Sequence, residues 1–280
     1  MQDFNCRVAV ITGAASGIGR ALAERCAREG MKVVLADVEP GALAEVEANL
    51  QARGGTVLAV RTDVSQAKDV EALAQKTLAA FGAVHLLCNN AGVATSGAAV
   101  WESSLTDCEW VMGVNLWGVI HGVRSFVPIM LAQDTECHIV NTASLSGLIS
   151  FPRGSVYAVT KHGVVTLSES LHHELAERGG KVKVSVLCPG LVKTRILDCA
   201  RNRPERLAAT APMGPVAAAA WETLRQQMQT AMPPAQVADA VFQAIREERF
   251  YILTHPEGKE WIRTRMEDIL QERNPTPLTP

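Results

Sequence analysis

Along the chain, short runs dominated by Val, Ile, Leu and Ala alternate with longer stretches in which apolar residues return every three or four positions. The first kind reads as buried strand and the second as amphipathic helix. RVAVIT, residues 7–12, is accordingly a strand, and 17–29 a helix with Ile18, Leu22 and Cys26 on one face and Gly30 as its C-terminal cap. The alternation continues with a strand at 32–36, a helix from Pro40 to Arg53 ended by Gly54 and Gly55, a strand at 56–60, and a helix opened by Ser65. Further strands are predicted at 84–89, 138–143, 182–187 and 250–255. Between them lie a long helical stretch after Ser104, a second helix through Phe126, a helix beginning near Tyr157, and one from Pro234 to Glu247. Strands this uniformly apolar belong in a parallel sheet covered on both faces, so the pattern predicts an α/β fold.

Two segments break the rhythm. Residues 193–232, punctuated by Pro204, Pro212 and Pro215 and by an alanine run at 217–220, form an excursion between the sixth strand and the next helix. Residues 257–271 predict an extra amphipathic helix with Trp261, Ile262, Met266 and Ile269 on one side. NPTPLTP, residues 274–280, is expected to be a disordered tail beyond an extension that spans 257–273. No internal repeat or linker divides what precedes, so residues 1–256, with a substrate lid at 193–232, are expected to form one domain.

Composition narrows the class. With 48% hydrophobic and 20% charged residues the chain can bury a core, and a formal charge of -2 without charge blocks removes the electrostatic case for nucleic acid or an anionic membrane. The cysteines, Cys6, Cys26, Cys88, Cys108, Cys137, Cys188 and Cys199, form no C-x-x-C pair and read as buried thiols in a reducing compartment; no metal site is expected. The start MQDFNCRVAV lacks the basic region of a signal peptide, and no segment approaches the ~20 apolar residues of a membrane span. A cytoplasmic protein is expected.

The chemistry begins at VITGAASGIGR, residues 10–20. A strand ending at Thr12, a turn carrying Gly13, and Gly17 and Gly19 opening a helix are suited to receive a pyrophosphate on backbone N–H groups; Ser16 and Ile18 complete this contact set. Gly13 permits the turn, Gly17 the approach of phosphate and Gly19 the contact of helix with strand. The G-x3-G-x-G spacing alone also fits a merely structural turn. Asp37, at the end of the second strand, sharpens the assignment because an acid there accepts hydrogen bonds from a ribose 2′-OH and repels a 2′-phosphate. No Lys or Arg stands at Ser16 or Val38, so NAD is preferred over NADP.

SVYAVTKHG sets Tyr157 and Lys161 four apart on one helical face, with Ser144 thirteen residues before Tyr157 at the end of a strand. Taken singly, each has a structural reading as surface packing or a turn. Together with TGAASGIG at 12–19, Asp63 and Val64, NNAG at 89–92, Asn115 in VNLWG and PG at 189–190, they resemble the short-chain dehydrogenase/reductase family, in order over residues 7–195. The resemblance implies a single Rossmann-type, doubly wound parallel sheet of about seven strands in the order 3-2-1-4-5-6-7. It also implies that Asn115, Ser144, Tyr157 and Lys161 are catalytic.

A phenol with an ordinary pKa near ~10 is a poor base, and a close ammonium favours its ionised form. Tyr157 is thus the expected acid/base, Lys161 lowers its pKa and holds the nicotinamide ribose, and Ser144 steadies the substrate oxygen. Ser146 is a rival two residues on, which the thirteen-residue spacing disfavours, and His162 is assigned no chemistry. By resemblance, Asn115 anchors a water behind Lys161, and Asp63 and Val64 bracket the adenine. Asn90, Ala91 and Gly92 then sit beside the adenosine ribose with Asn89 structural, and Pro189, Gly190, Val192 and Thr194 face the nicotinamide.

The substrate segments of the family correspond here to Val93, Ala94, Leu145, Phe151, Leu191 and Met213, with Trp221 and Met228 as further candidates. This apolar set suits a secondary alcohol or ketone on a hydrophobic small molecule. A homodimer or homotetramer is expected, with the C-terminal extension covering a pocket or altering an interface. Two alternatives stand beside an NAD-dependent dehydrogenase: an NADPH-dependent ketoreductase of biosynthesis, opposed by Asp37, and a non-catalytic dinucleotide-binding regulator, opposed by the intact set of four.

Overall fold

A computed structural model of the protein describes residues 1–94, 97–209 and 214–278. Strands β1 (Val8–Thr12), β2 (Lys32–Asp37), β3 (Val57–Arg61), β4 (Leu86–Asn89), β5 (Cys137–Thr142), β6 (Val182–Leu187) and β7 (Tyr251–Ile252) form one sheet. Its order is β3-β2-β1-β4-β5-β6-β7, parallel throughout. Successive residues of a strand face opposite sides, and both sides are covered. In β1, Ala9 and Ile11 pack toward α1 (Gly17–Arg28), α2 (Pro40–Ala52) and α8 (Pro234–Arg246). Val8 and Val10 pack toward α3 (Ala67–Phe81), α5 (Gly118–Ala132) and α6 (Ser155–Glu177). The chain crosses from β3 to β4 beside β1, which opens a crevice at the carboxyl ends of these two strands.

The largest departure in the helices is that α4 (Leu105–Met112) and α5 are not separate. A π-helical turn at Gly113–Trp117 joins them into one helix, Leu105–Ala132. By length and composition this helix meets the requirement for a membrane span, contrary to the expectation that no segment does. Its buried side chains, Trp110, Val111, Asn115, Val119, Phe126 and Met130, face the rest of the domain.

The helix expected from Ser65 starts later, at Ala67, because the Ser65 N–H and hydroxyl both turn back to Asp63 Oδ1, at 3.0 and 2.7 Å. The seventh strand shrinks to two residues, since beyond Ile252 the chain leaves the sheet and His255 bonds across to Gly190 and Leu191. The excursion contains 3-10 turns at Ile196–Asn202 and Glu205–Leu207 and helix α7 (Pro215–Gln229). Helix α9 (Gly258–Leu270) follows β7, with Trp261 and Ile262 half-buried but Met266 and Ile269 exposed. Within the tail expected to be disordered, the Thr276 N–H donates to Asp268 Oδ2 at 2.8 Å. All seven cysteines are free, but Cys6 is exposed and Cys108 half-buried, so these two are not the buried thiols expected.

Candidate active site

The glycine turn is built jointly by β1 and β4. Thr12 Oγ1 accepts hydrogen bonds from the N–H groups of Asn90 and Ala91, at 2.9 and 3.1 Å, and Asn90 Nδ2 donates to the Thr12 carbonyl at 3.0 Å. Asn90, expected as a cofactor contact, therefore spends its amide N–H on bracing the turn, while still lining the cleft. Asn89 is buried and donates to Asn141, the structural part expected of it. A Cβ at Gly19 would stand 2.1 Å from the Gly13 carbonyl oxygen, so only glycine lets α1 start this close to β1. Gly17 adopts φ +54°, and a Cβ there would stand 2.9 Å from the Thr194 methyl group.

Ser16 precedes α1 in extended conformation, its hydroxyl makes no capping bond, and the first turn holds no acid. The helix N-terminus is thus left electropositive at the cleft. Asp37 reaches the same loop from β2, accepting from Ala15 N–H at 2.9 Å and from Glu39 N–H at 3.1 Å. Burial raises its pKa, against the lowering effect of those N–H donors. Beyond it, Asp63 turns Oδ1 onto Ser65, and Val64 is buried against Gly118.

The second group of residues comes from the end of β5, from α6 and from the π turn. Ser144 opens a 3-10 turn, its Oγ accepting from Ser146 N–H at 3.1 Å and donating to the Pro189 carbonyl at 3.4 Å. Tyr157 and Lys161 are one turn apart on α6, with Lys161 Nζ 5.5 Å from the Tyr157 ring centroid. Burial pushes the Tyr157 phenol up to about 12, opposed by a hydrogen bond with Ser144. Lys161 is 3% exposed, donates to the Thr142 carbonyl at 3.0 Å, and is pushed down to about 8 by burial.

Asn115 sits in the π turn, fully buried, accepting from Val93 N–H at 2.8 Å and donating to the Val93 carbonyl at 2.9 Å. Its side chain therefore clamps the loop after β4. A π turn commonly marks a functional site, because it widens the helix at one point. Gly92 lies between Asn115 and Lys161: a Cβ there would be 3.5 Å from Asn115 Oδ1 and 3.7 Å from Lys161 Nζ. His162 bonds the Ala158 carbonyl of its own helix and stays off the cleft lining.

Gly13, Ser16, Gly17, Ile18, Asp37, Asp63, Val64, Asn90, Ala91, Gly92, Ser144, Tyr157 and Lys161 line one cleft of ≈ 1520 Å³, whereas Asn115 and Gly19, expected as site residues, lie behind its lining. The same cleft is walled by Val93, Ala94, Leu145, Phe151, Leu191, Trp221 and Met228, each expected from the sequence; Met213 lies outside the described residues. The sequence reading missed several neighbours. His255 accepts from Gly190 N–H at 3.0 Å on Nδ1 and reaches the Leu191 carbonyl at 3.0 Å with Nε2, which braces the segment holding Pro189, Gly190 and Val192. Cys199 Sγ exchanges two 3.3 Å hydrogen bonds with the backbone of Ala94 and so ties the excursion to the loop after β4. Arg203 pairs with Asp107 at 2.5 Å and lies 5.1 Å over the Trp110 ring. Trp261, expected on the extra helix, meets Phe151 edge to face at 6.0 Å, so α9 covers this part of the cleft, one of the two roles the sequence left to the extension. None of these contacts has a periodic or spacing signal, since each joins segments far apart in sequence.

Comparison with known proteins agrees with this architecture. The family model for short chain dehydrogenases matches residues 7–205. A short chain dehydrogenase/reductase from Burkholderia phymatum, solved in complex with NAD, is 51% identical and superposes with a TM-score of 0.97 over 100% of both chains. The CLA biosynthesis dehydrogenase/reductase of Lactiplantibacillus plantarum is 33% identical, covering 98% of this chain and 97% of its own length. The 1-deoxy-11-beta-hydroxypentalenate dehydrogenase of Streptomyces exfoliatus is 35% identical over 100% of this chain and 94% of its own. With the strand order, the glycine turn and the matched span in agreement, the chain belongs to the short-chain dehydrogenase/reductase family.

Proposed function

We propose that this protein is an NAD-dependent oxidoreductase that interconverts a secondary alcohol and a ketone on a hydrophobic small molecule, with Tyr157 as acid/base. The observation that carries the reading is that Ser144, Tyr157 and Lys161 line one cleft with both the glycine turn and an apolar lobe. The residues fit a dinucleotide: an α1 N-terminus free of side-chain caps and acids suits a pyrophosphate, and Asp37 suits a ribose 2′-OH. Gly13, Ser16, Gly17, Ile18 and Gly19 would hold the pyrophosphate, with Asp63 and Val64 at the adenine and Asn90, Ala91 and Gly92 at the adenosine ribose. Pro189, Gly190, Val192 and Thr194 would hold the nicotinamide end. Bound there, NAD supplies a hydride acceptor.

In oxidation, the Tyr157 phenolate takes the hydroxyl proton of the alcohol; in reduction, the phenol returns a proton to the ketone oxygen. Burial, and after it Cys199, oppose ionisation of Tyr157 and the hydrogen bond with Ser144 favours it; the Lys161 ammonium, 5.5 Å from the ring centroid, would favour phenolate as well. Ser144 Oγ, fixed by Ser146 N–H, would turn its one proton from the Pro189 carbonyl to the same substrate oxygen. Asn115 acts as a positioning residue, holding Val93 and thereby the wall opposite Lys161.

The apolar lobe favours a hydrophobic body on the substrate, and the hydroxypentalenate relative is named as a dehydrogenase of a hydroxylated compound. Seven free thiols suit the cytoplasm, and the exposed Trp117 and Val159 suit a homodimer or homotetramer. The test is a panel of secondary alcohols and ketones with NAD(H), followed at the nicotinamide absorbance. Turnover is expected with hydrophobic members; turnover confined to sugars or phosphorylated alcohols would contradict the reading of the lobe.

A further inference from the structure

At the end of β2 the sequence offers Asp37 alone as the residue that chooses between dinucleotides. The structure adds a second acid and a remote arginine. Glu39 lines the same cleft two residues on, and its carboxylate does not cap α2. Instead Oε1 accepts from Arg201 Nε at 3.0 Å, Arg201 Nη2 at 2.5 Å and Asn202 Nδ2 at 2.8 Å. These donors come from the excursion, 162 and 163 residues away. Arg201 Nη1 also donates to the carbonyls of Arg195 and Asp198, at 3.3 and 2.9 Å, which fixes the guanidinium in this orientation.

Glu39 is close enough to Asp37 for its charge to raise the Asp37 carboxyl, after the larger effect of burial. Burial pushes Glu39 up, and the hydrogen bonds of Arg201 and Asn202 outweigh it, so Glu39 stays ionised. The two side chains are 24% and 21% exposed, at the rim of the cleft, and what holds the pair is its two-pronged geometry.

We propose that Glu39 is a second determinant of cofactor choice, which disfavours 2′-phosphorylated dinucleotides by keeping Arg201 as its own ion-pair partner; the inference rests on the reading that this cleft binds NAD. A guanidinium is the side chain best shaped to grip a phosphate, and Arg201 lines the cleft that also holds Asp37. Its donors are already committed to a carboxylate. A 2′-phosphate, with about -1.5 to -2 charges, would have to displace that carboxylate and then lie beside it and Asp37. A ribose 2′-OH requires neither. Removing the charge of Glu39 therefore acts twice, deleting a repulsion and releasing a phosphate-binding arginine.

The experiment is calorimetric titration of adenosine 2′,5′-bisphosphate and of AMP into the wild type, Glu39→Gln and the double variant Glu39→Gln with Arg201→Ala. Specificity ratios for NADP over NAD are measured in parallel. Glu39→Gln should raise the affinity for the bisphosphate relative to AMP about tenfold, and the NADP/NAD ratio with it. Adding Arg201→Ala should remove most of that gain. AMP binding also reports that each variant is folded. If AMP and NAD bind but the bisphosphate/AMP ratio is unchanged in Glu39→Gln, or the gain survives loss of Arg201, the proposal is wrong. If the wild type binds neither AMP nor NAD, the cofactor reading fails and the proposal falls with it.

Discussion

Replacing Lys161 by methionine should change the way stability depends on pH. The Lys161 ammonium is 3% exposed and burial lowers its pKa to about 8, against ~10.4 in an unfolded chain. Between those two values the unfolded chain holds the proton and the native chain has released it, so stability rises with pH across the window. Integrated from about pH 7 to about pH 9.5, the difference in proton binding is worth about 2 kcal/mol in the wild type and nothing in Lys161→Met. Tyr157, pushed up to about 12, contributes the opposite slope chiefly above its unfolded value of ~10, which lies beyond this window. Urea unfolding of both cofactor-free proteins at the two pH values provides the comparison. The wild type should gain about 2 kcal/mol on the variant as pH rises. If the two stabilities run parallel to within about 0.5 kcal/mol, Lys161 is not a buried, reluctantly charged amine, and the account of how it acts on Tyr157 loses its basis.

Other perturbations test the two ends of the cleft. Gly19→Ala places a Cβ 2.1 Å from a backbone oxygen, so it should cost ~1–3 kcal/mol of stability and abolish NAD binding; a variant that melts and binds like the wild type would remove the close-approach argument. Trp261→Ala strips the edge-to-face partner from Phe151 and opens the apolar end, so KM for a hydrophobic alcohol should rise several-fold while NAD affinity stays fixed. Equal changes in both would mean that α9 supports the domain rather than the substrate end.

The sheet was legible because each central strand is buried on both faces, and a short unbroken apolar run between turn residues suits little but a covered parallel strand. Where a segment is half in the sheet the run misleads: FYILTH looks uniform, yet only Tyr251 and Ile252 pair, because His255 is drawn off toward Gly190. The joining of α4 and α5 was hidden because a π turn changes the number of residues per turn without any marker residue. In the candidate site, the motif spacing picked out Ser144, Tyr157 and Lys161, which the end of one strand and one helical face bring to the same cleft. It did not show that the Asn90 amide also serves the Thr12 carbonyl, since a side chain at a turn can face either the cleft or the backbone beneath it. In the excursion, Trp221 and Met228 were legible as lining but the polar contacts were not. Its contacts, Arg201 with Glu39, Arg203 with Asp107 and Cys199 with Ala94, are charge or polar pairings across many residues, which no local periodicity encodes.

The central claim is that the Tyr157 phenol moves the proton in a cleft that binds dinucleotide independently of it. Tyr157→Phe keeps the ring against Lys161 and deletes only the hydroxyl, so the decisive measurement is turnover of the best alcohol from the panel alongside NAD titration of the same sample. The account predicts turnover lower by about 10²–10⁴-fold with NAD affinity unchanged. Turnover close to that of the wild type would contradict it.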